Sequence, residues 1–286
     1  MASSAPEGCV ELCHASGSKC TVSIYAAHVT SWSLPDLGEQ LFMSSKAEMT
    51  PGTAIRGGVP ICWPQFGTFR TAKNSPGLKH GFVRQSSLWQ VDEKGTDSDT
   101  IALRLIPDDE MLKKWPGQWE VLYTVSLRAR SLSLKMEVVN KGEEALEFTG
   151  CLHTYFRCKA CEECSVQGLK GEKYDSPIGD SFSGAKVEDR ASVPICDGKT
   201  QMQLLYGSAG DAVVLSEAGQ PRISLTKSGM PDWVIWNIGD DDVHTLKDMG
   251  EGEQRHYVCV EPGFATVPVE VAPGRTWCGV HEMRAL

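Results

Sequence analysis

VLYTVSLRARSLSLKMEVV, from Val121 to Val139, places an apolar side chain at every second position on both sides of a polar centre. The first apolar series ends at Leu127 and the second begins at Leu132. Successive side chains of a strand point to opposite faces, so period-two alternation is typical of a strand with one buried face. The stretch therefore predicts a long antiparallel hairpin.

The same alternation recurs along the chain. TVSIYAAHV is predicted to be one strand with Val22, Ile24 and Ala26 on one side, and TIALRLIP repeats the pattern. Further strands are predicted at AVVLSEAGQPRISLTK, with its turn at AGQP, and at DWVIWNI, HYVCVEP and VPVEVAP. The best helical signal is DDEMLKKWP, where Asp108 is predicted to cap one or two turns that end before Pro116.

Many strands and few helices predict an all-β protein, a large antiparallel β-sandwich with very few short helices. The sequence contains no linker, repeat or low-complexity segment. It therefore predicts one domain over residues 1–286, with a core from roughly residue 20 to residue 284.

Charge and composition exclude several classes of partner. The chain has 286 residues, 41% of them hydrophobic, and a formal net charge of −9. Nucleic acid and anionic membranes both need a basic face, so neither is an expected partner. The start, MASSAPEGC, lacks the features of a signal peptide, and the eleven cysteines are scattered. We expect reduced thiols and a cytoplasmic location.

Two neighbouring loops carry basic residues that could meet in one site. IRGGVPICWPQFG begins at Ile55, and KHGFVR runs from Lys79 to Arg84. Arg56, Lys79 and Arg84 would form a compact anion site on an acidic protein, because guanidinium and ammonium groups suit phosphate. The two glycines after Arg56 are predicted to let a ligand approach the backbone. The alternative is that these are solvated charges on two separate loops.

Two ionisable residues lie in apolar, strand-like segments. His153 is in GCLHTYF, and Glu261 is in YVCVEPG. Apolar surroundings shift pKa values, which suits a general acid or base. The alternative for each is a hydrogen-bonded core histidine or a salt-bridged glutamate. More than a hundred residues separate the two, so spacing does not predict their proximity.

CKACEEC carries three cysteines with C-x₂-C-x₂-C spacing, which is typical of zinc or iron–sulfur ligands. A fourth ligand is needed, and the nearest remaining thiol is Cys151. We interpret Cys158, Cys161 and Cys164 as incidental thiols and expect no metal. AIRGGVP lacks the glycine spacing of a dinucleotide fingerprint.

These segments together resemble those of a known family. AIRGGVPICWPQFG, KHGFVR, CLHTYF, DWVIWN and CVEPG…VPVEVAPG stand in the order found in glucose-6-phosphate 1-epimerases, the hexose-6-phosphate mutarotases of the aldose 1-epimerase superfamily. The resemblance covers roughly Val22 to Met283 and weakens between Gly171 and Ala212. It implies a galactose mutarotase-like sandwich, a hexose 6-phosphate substrate, no cofactor or metal, and a monomer.

The resemblance also implies roles for individual residues. His153 would be the general acid and Glu261 the general base, while His80 would bond a sugar oxygen. Arg56, Lys79 and Arg84 would hold the 6-phosphate. Trp63, Phe66 and Trp236 are candidates for an apolar wall beside the sugar, with core packing as the alternative for each.

One position departs from the family pattern. The family usually has an Asp where KTQMQLLYG places Gln203, and Asp197 is the substitute if the alignment shifts. An amide can still bond sugar hydroxyls, but without the charge. Two other functions stay open: an aldose 1-epimerase of free hexoses, and a non-catalytic sugar-phosphate-binding protein.

Overall fold

The regular secondary structure of the protein is mainly β-strand, seen here in a computed structural model that describes residues 6–68, 72, 75–179 and 181–286. The first five residues, part of the segment predicted to lack a signal peptide, lie outside the described residues. The described part contains the strands β1 (Cys9–Cys13), β2 (Lys19–Ser23), β3 (His28–Leu34), β4 (Gly38–Glu39), β5 (Ile61–Cys62), β6 (Gln90–Val91), β7 (Thr100–Leu105), β8 (Trp119–Leu127), β9 (Ser131–Asn140), β10 (Leu146–Leu152), β11 (Tyr155–Arg157), β12 (Cys164–Gln167), β13 (Lys173–Asp175), β14 (Lys186–Val187), β15 (Ser192–Pro194), β16 (Met202–Tyr206), β17 (Ala212–Glu217), β18 (Gln220–Ser228), β19 (Asp232–Asn237), β20 (Tyr257–Val271) and β21 (Thr276–Ala285).

The helices of the described residues are short, as the sequence predicts. The α-helices are α1 (Asp109–Lys114) and α2 (Gly239–Asp242), and the 3₁₀ helices are Tyr25–Ala27, Val83–Gln85, Glu93–Gly95, Cys161–Glu163, Val243–Thr245 and Glu253–His256. Asp108 caps α1, because its side chain accepts from the backbone N–H of Met111 at 2.9 Å. None of these helices is long and apolar enough to cross a membrane.

The strands form three sheets whose neighbouring strands are antiparallel. The small N-terminal sheet contains β1 to β4 in chain order. An eight-stranded sheet has the order β14-β13-β16-β19-β20-β10-β5, with β11 also paired to β20. A nine-stranded sheet has the order β15-β12-β17-β18-β21-β9-β8-β7-β6.

The predicted hairpin is confirmed as β8 and β9. Its apolar residues pair across the two strands, Val121 with Val138 and Val125 with Leu134. These side chains share one buried cluster with residues of the eight-stranded sheet, including Val260 of β20. The core therefore lies between the two large sheets, which confirms a β-sandwich.

Two strand predictions are wrong in their boundaries. TVSIYAAHV is not one strand, because the chain turns through a 3₁₀ helix in which Ala26 has a φ of 62°. Its two halves belong to β2 and β3, which pair with each other. HYVCVEP and VPVEVAP are instead one strand, β20, which changes partner along its length and shows an irregularity opposite Phe148 and Gly150.

Candidate active site

The register of the eight-stranded sheet brings His153 opposite Glu261. Cys151 of β10 pairs with Gly263 of β20, and Tyr155 of β11 pairs with Cys259 of the same strand. His153 lies midway between these paired residues, as Glu261 does on β20. Strand pairing therefore places together two residues that are distant in sequence.

The two side chains are in close contact below the protein surface. Nδ1 of His153 lies 3.2 Å from Oε1 of Glu261. This is within ion-pair distance, but the two atoms are not aligned for a hydrogen bond, and both are buried without such a partner. Glu261 is 1% exposed and His153 is 8% exposed. The pair is thus shielded from water but can be reached from one side.

Burial disfavours the charged form of each member of the pair. It lowers the pKa of His153 well below 6.5, and nearby His80, Arg56 and Arg84 add to this effect. Burial also raises the pKa of Glu261 well above 4.5. Both shifts favour the neutral form of the group concerned, so a proton can pass between the imidazole and the carboxyl.

The three predicted cations come from different loops of the chain. Arg56 lies between β4 and β5, where its Nε is 3.2 Å from a carboxylate oxygen of Asp248. Arg84 lies in a 3₁₀ helix, and its buried Nε has no hydrogen-bond partner among the described residues. Lys79 is exposed, and its carbonyl oxygen accepts from Nη2 of Arg84 at 3.3 Å. In the described part of the chain, neither Arg84 nor Lys79 forms an ion pair with a carboxylate.

All eight residues predicted as site residues line one cavity of about 390 Å³: Arg56, Lys79, His80, Arg84, His153, Gln203, Trp236 and Glu261. A volume in this range is typical of pockets for small molecules. The cations and the acid–base pair therefore share a space that one small anionic ligand could fill. The three cations therefore do not lie apart on two separate loops, because all of them border the same cavity.

The glycines after Arg56 have a different role from the predicted one. Gly57 and Gly58 have φ values of +108° and +58° and are buried. A Cβ on Gly57 would lie 2.4 Å from the carbonyl oxygen of Phe42, and one on Gly58 would lie 2.2 Å from that of Val29. These glycines allow neighbouring segments of the protein to approach, and neither lines the cavity.

His80 joins the loops to the acid–base pair. Its Nδ1 accepts from the backbone N–H of Gly67 at 3.2 Å, which directs the remaining ring proton to Nε2. Its ring meets those of Phe66 and His153 edge to face, with centroids 5.7 Å apart in both contacts. His80 is thus held between an aromatic wall and the imidazole of the pair.

The structure distinguishes among the other predicted contacts. Gln203 lies on β16 opposite Trp236, and its Nε2 donates to Oε1 of Gln201. Asp197, the alternative, accepts from the backbone N–H groups of Lys199 and Thr200 and does not line the cavity. Phe66 and Trp236 do line it. Trp63 instead packs edge to face with aromatic core residues, namely Trp115, Trp119 and Phe148.

Tyr155 and Asp248 were not predicted from the sequence. The Tyr155 hydroxyl accepts from Nη1 of Arg56 at 2.9 Å, and its ring stacks on His153 at 4.8 Å. Tyr155 thus connects a cation to the acid–base pair. Its place two residues after His153 was a usable signal, because residues i and i+2 of an extended segment point to the same side. The sequence around Asp248 carries no comparable signal.

The cysteine-rich segment does not form a metal cage in the described residues. Cys158, Cys161 and Cys164 are buried together with Cys196, and the first three thiols donate to oxygen atoms of Arg255, Glu162 and Ala160. Among the residues described, the group of metal-ligand types within 4.8 Å of one another is His153, Cys259 and Glu261. Burial raises the pKa of the Cys259 thiol well above 9.0 and so favours its protonated form.

Comparisons with known proteins agree with this architecture. The family model described as aldose 1-epimerase matches residues 8–284. A protein of Cenchrus ciliaris provisionally named glucose-6-phosphate 1-epimerase is 30% identical over 268 residues, with 90% of this chain and 78% of the relative aligned. A similarly named protein of Escherichia coli is 28% identical over 251 residues, covering 87% and 80% of the two chains.

Solved structures extend the likeness to the whole fold. The crystal structure of a provisionally assigned mutarotase from Salmonella typhimurium superposes with a TM-score of 0.81. The superposition covers 97% of this chain and 90% of the Salmonella protein, at 23% sequence identity. The likeness therefore concerns the fold alone.

Proposed function

The chain belongs to the aldose 1-epimerase family, and we propose that it interconverts the α and β anomers of glucose 6-phosphate. The family supplies the reaction class, epimerisation at the anomeric carbon. The observation that carries the phosphorylated substrate is the presence of Arg56, Lys79 and Arg84 at the cavity that also contains His153 and Glu261. A neutral sugar has no group that would use three cations.

In the proposed reaction His153 and Glu261 exchange protons with the sugar. Glu261 takes the proton of the anomeric hydroxyl as the bond between C1 and the ring oxygen breaks and C1 becomes a carbonyl. His153 gives a proton to the ring oxygen. After rotation about the C1–C2 bond the steps reverse on the other face of C1, so protons balance and no cofactor is consumed. Each transfer contributes typically about 10²–10⁴-fold to the rate.

The phosphate would also prepare the acid–base pair for this chemistry. Arg56 and Arg84 contribute to the lowered pKa of His153, after burial and His80. A phosphate dianion beside these guanidinium groups offsets their charge and so favours imidazolium. The pair then carries its proton on His153 and leaves Glu261 as the base. Binding at a remote group thus supports the reacting centre, which favours phosphorylated over free sugars.

Other parts of the cavity would fix the sugar ring. Phe66 and Trp236 offer apolar faces, while the amides of Gln201 and Gln203 offer hydrogen bonds to hydroxyls. We propose that the protein is a monomer. We also propose a reducing compartment such as the cytoplasm, since all eleven cysteines are free. The preference for glucose over other hexose 6-phosphates is part of the proposal.

Exchange NMR on the anomeric protons tests the function directly. Equilibrated glucose 6-phosphate and glucose are compared, each with and without the protein, in a buffer free of phosphate. We expect the protein to accelerate exchange of glucose 6-phosphate and to act far more weakly on glucose. Acceleration of glucose alone would make the protein a free-sugar epimerase, and acceleration of neither would favour a binding protein.

A further inference from the structure

Two buried cysteines border the carboxylate of Glu261 without belonging to the predicted site. Cys151 lies on β10, and its thiol donates to Oε2 of Glu261 at 3.2 Å. Cys62 lies on β5 directly across from Cys151. Cys151 is 1% exposed and Cys62 is 0% exposed, and they share a small apolar cluster with Phe66 and Val234. The Glu261 carboxyl is therefore bordered, on the side away from His153, by thiols in apolar surroundings.

The thiol of Cys151 is the hydrogen-bond donor to Glu261 among the described residues. Oε2 accepts from this thiol, while Oε1 has no hydrogen-bond partner. Buried carboxylates are usually held by several donors. While the Cys151 thiol holds Oε2, Oε1 lies next to His153, 3.2 Å from its Nδ1.

The backbone fixes this thiol in position. β5 approaches β10 closely because Gly150 has no side chain, and a Cβ there would lie 2.5 Å from the carbonyl oxygen of Cys62. Cys62 faces Cys151 across the pairing of β5 with β10.

We propose that Cys151 is a positioning residue, whose thiol orients the Glu261 carboxyl toward the cavity and stabilises its ionised form. This rests on the proposed function, in which Glu261 is the base. A thiol is a weak donor, so it directs the carboxylate without making it a poor proton acceptor. Burial raises the pKa of Cys151 well above 9.0, which keeps its proton available for donation.

The titratable groups around Glu261 are those that could also change the pKa of its carboxyl. From the strands and connections packed against it, the titratable groups are Cys62, Cys151, His153, Tyr155 and Cys259. On the β19 side its cross-strand partner is the apolar Val234. A change confined to Cys151 removes the thiol donor of the carboxyl and also changes the surroundings of Cys62, whose charge raises the pKa of Glu261.

The test compares Cys151→Ala with Cys151→Ser in anomer exchange across pH. Loss of the donor should lower kcat about 2- to 10-fold with little change in KM. It should also raise the pKa of Glu261 and move the acidic limb of the pH–rate profile to higher pH. Serine keeps a donor and should restore the limb to the wild-type position or below. Cys20→Ala, which removes a buried thiol of β2, is the matched control and should leave the profile unchanged.

A second measurement keeps the proposal independent of turnover. The Glu261 carboxyl is followed by ¹³C NMR in glutamate-labelled protein, with its resonance assigned from Glu261→Gln. A midpoint at higher pH in Cys151→Ala, with recovery in Cys151→Ser, supports the proposal even if neither sugar is a substrate. Equal midpoints in the wild type and both variants would overturn it, as would a loss of melting temperature in Cys151→Ala with no change in either pH dependence.

Discussion

The cations and the acid–base pair line one cavity but are held by different kinds of structure. His153 and Glu261 are brought together by the pairing of β10 and β11 with β20. Arg56, Lys79 and Arg84 come from loops and a 3₁₀ helix. Groups that react need accurate placement on rigid elements, whereas loops can vary without disturbing a sheet. We therefore expect the proposed reaction and the proposed substrate choice to depend on different regions, so that variants of each region differ in kind.

The largest effect is expected from Glu261→Gln, because it removes the base while keeping the size of the side chain. Exchange of both glucose 6-phosphate and any free sugar that the protein accepts should slow by about 10²–10⁴-fold. His153→Ala should behave similarly. Anomer exchange by NMR measures the rate, and circular dichroism checks the fold. Glu270→Gln, an exposed position of the same strand, is the control. A near-wild-type rate for Glu261→Gln would mean that the base lies elsewhere.

A smaller and substrate-specific effect is expected from Arg56→Gln. Charge-assisted hydrogen bonds contribute about 1.5–3 kcal/mol, so kcat/KM for glucose 6-phosphate should fall roughly 10- to 100-fold, mainly through KM. Activity on free glucose should fall much less, since Arg56 would affect it only through Tyr155, which stacks on His153. Arg255→Gln, an exposed arginine paired with Asp240, serves as the control. Equal losses on both sugars would show that the two regions are not separable.

The smallest effect is expected on the pKa of His153, through which the cations influence the acid–base pair. Arg84 is among the groups that lower the pKa of His153, whereas Lys79 is not. Arg84→Gln should therefore move the His153 titration upward toward 6.5, so that imidazolium persists to higher pH. Lys79→Gln should leave it unchanged. The imidazole C–H resonances report both midpoints, and a shift in Lys79→Gln equal to that in Arg84→Gln would contradict the proposed coupling.

The sequence predicted strands well because alternation is a local property. The β8–β9 hairpin follows directly from side chains that alternate between core and solvent. Local pattern failed at TVSIYAAHV, where apolar side chains continue through a turn. Small buried alanines fit the alternating pattern both in a strand and in a turn. Tertiary packing therefore decides where the strand ends.

The site was predictable in its residue types and not in its geometry. Motif resemblance identified the eight residues, but the meeting of His153 with Glu261 depends on register, which spacing along the chain does not contain. Gly57 and Gly58 were assigned to ligand approach because sequence cannot tell what comes close to a glycine. The thiol of Cys151 attracted attention only as a possible fourth ligand for CKACEEC, whereas β5 and β10 place it against Glu261.

The burial of Glu261 and His153 has a consequence for folding free energy. Removing ionisable groups from water without full hydrogen bonding opposes folding, and Oε1 and Nδ1 both lack hydrogen-bond partners. Folding alone would favour apolar side chains at these two positions. This unfavourable contact is thus one that the proposed sugar substrate would complete, and the large core around it offsets its cost.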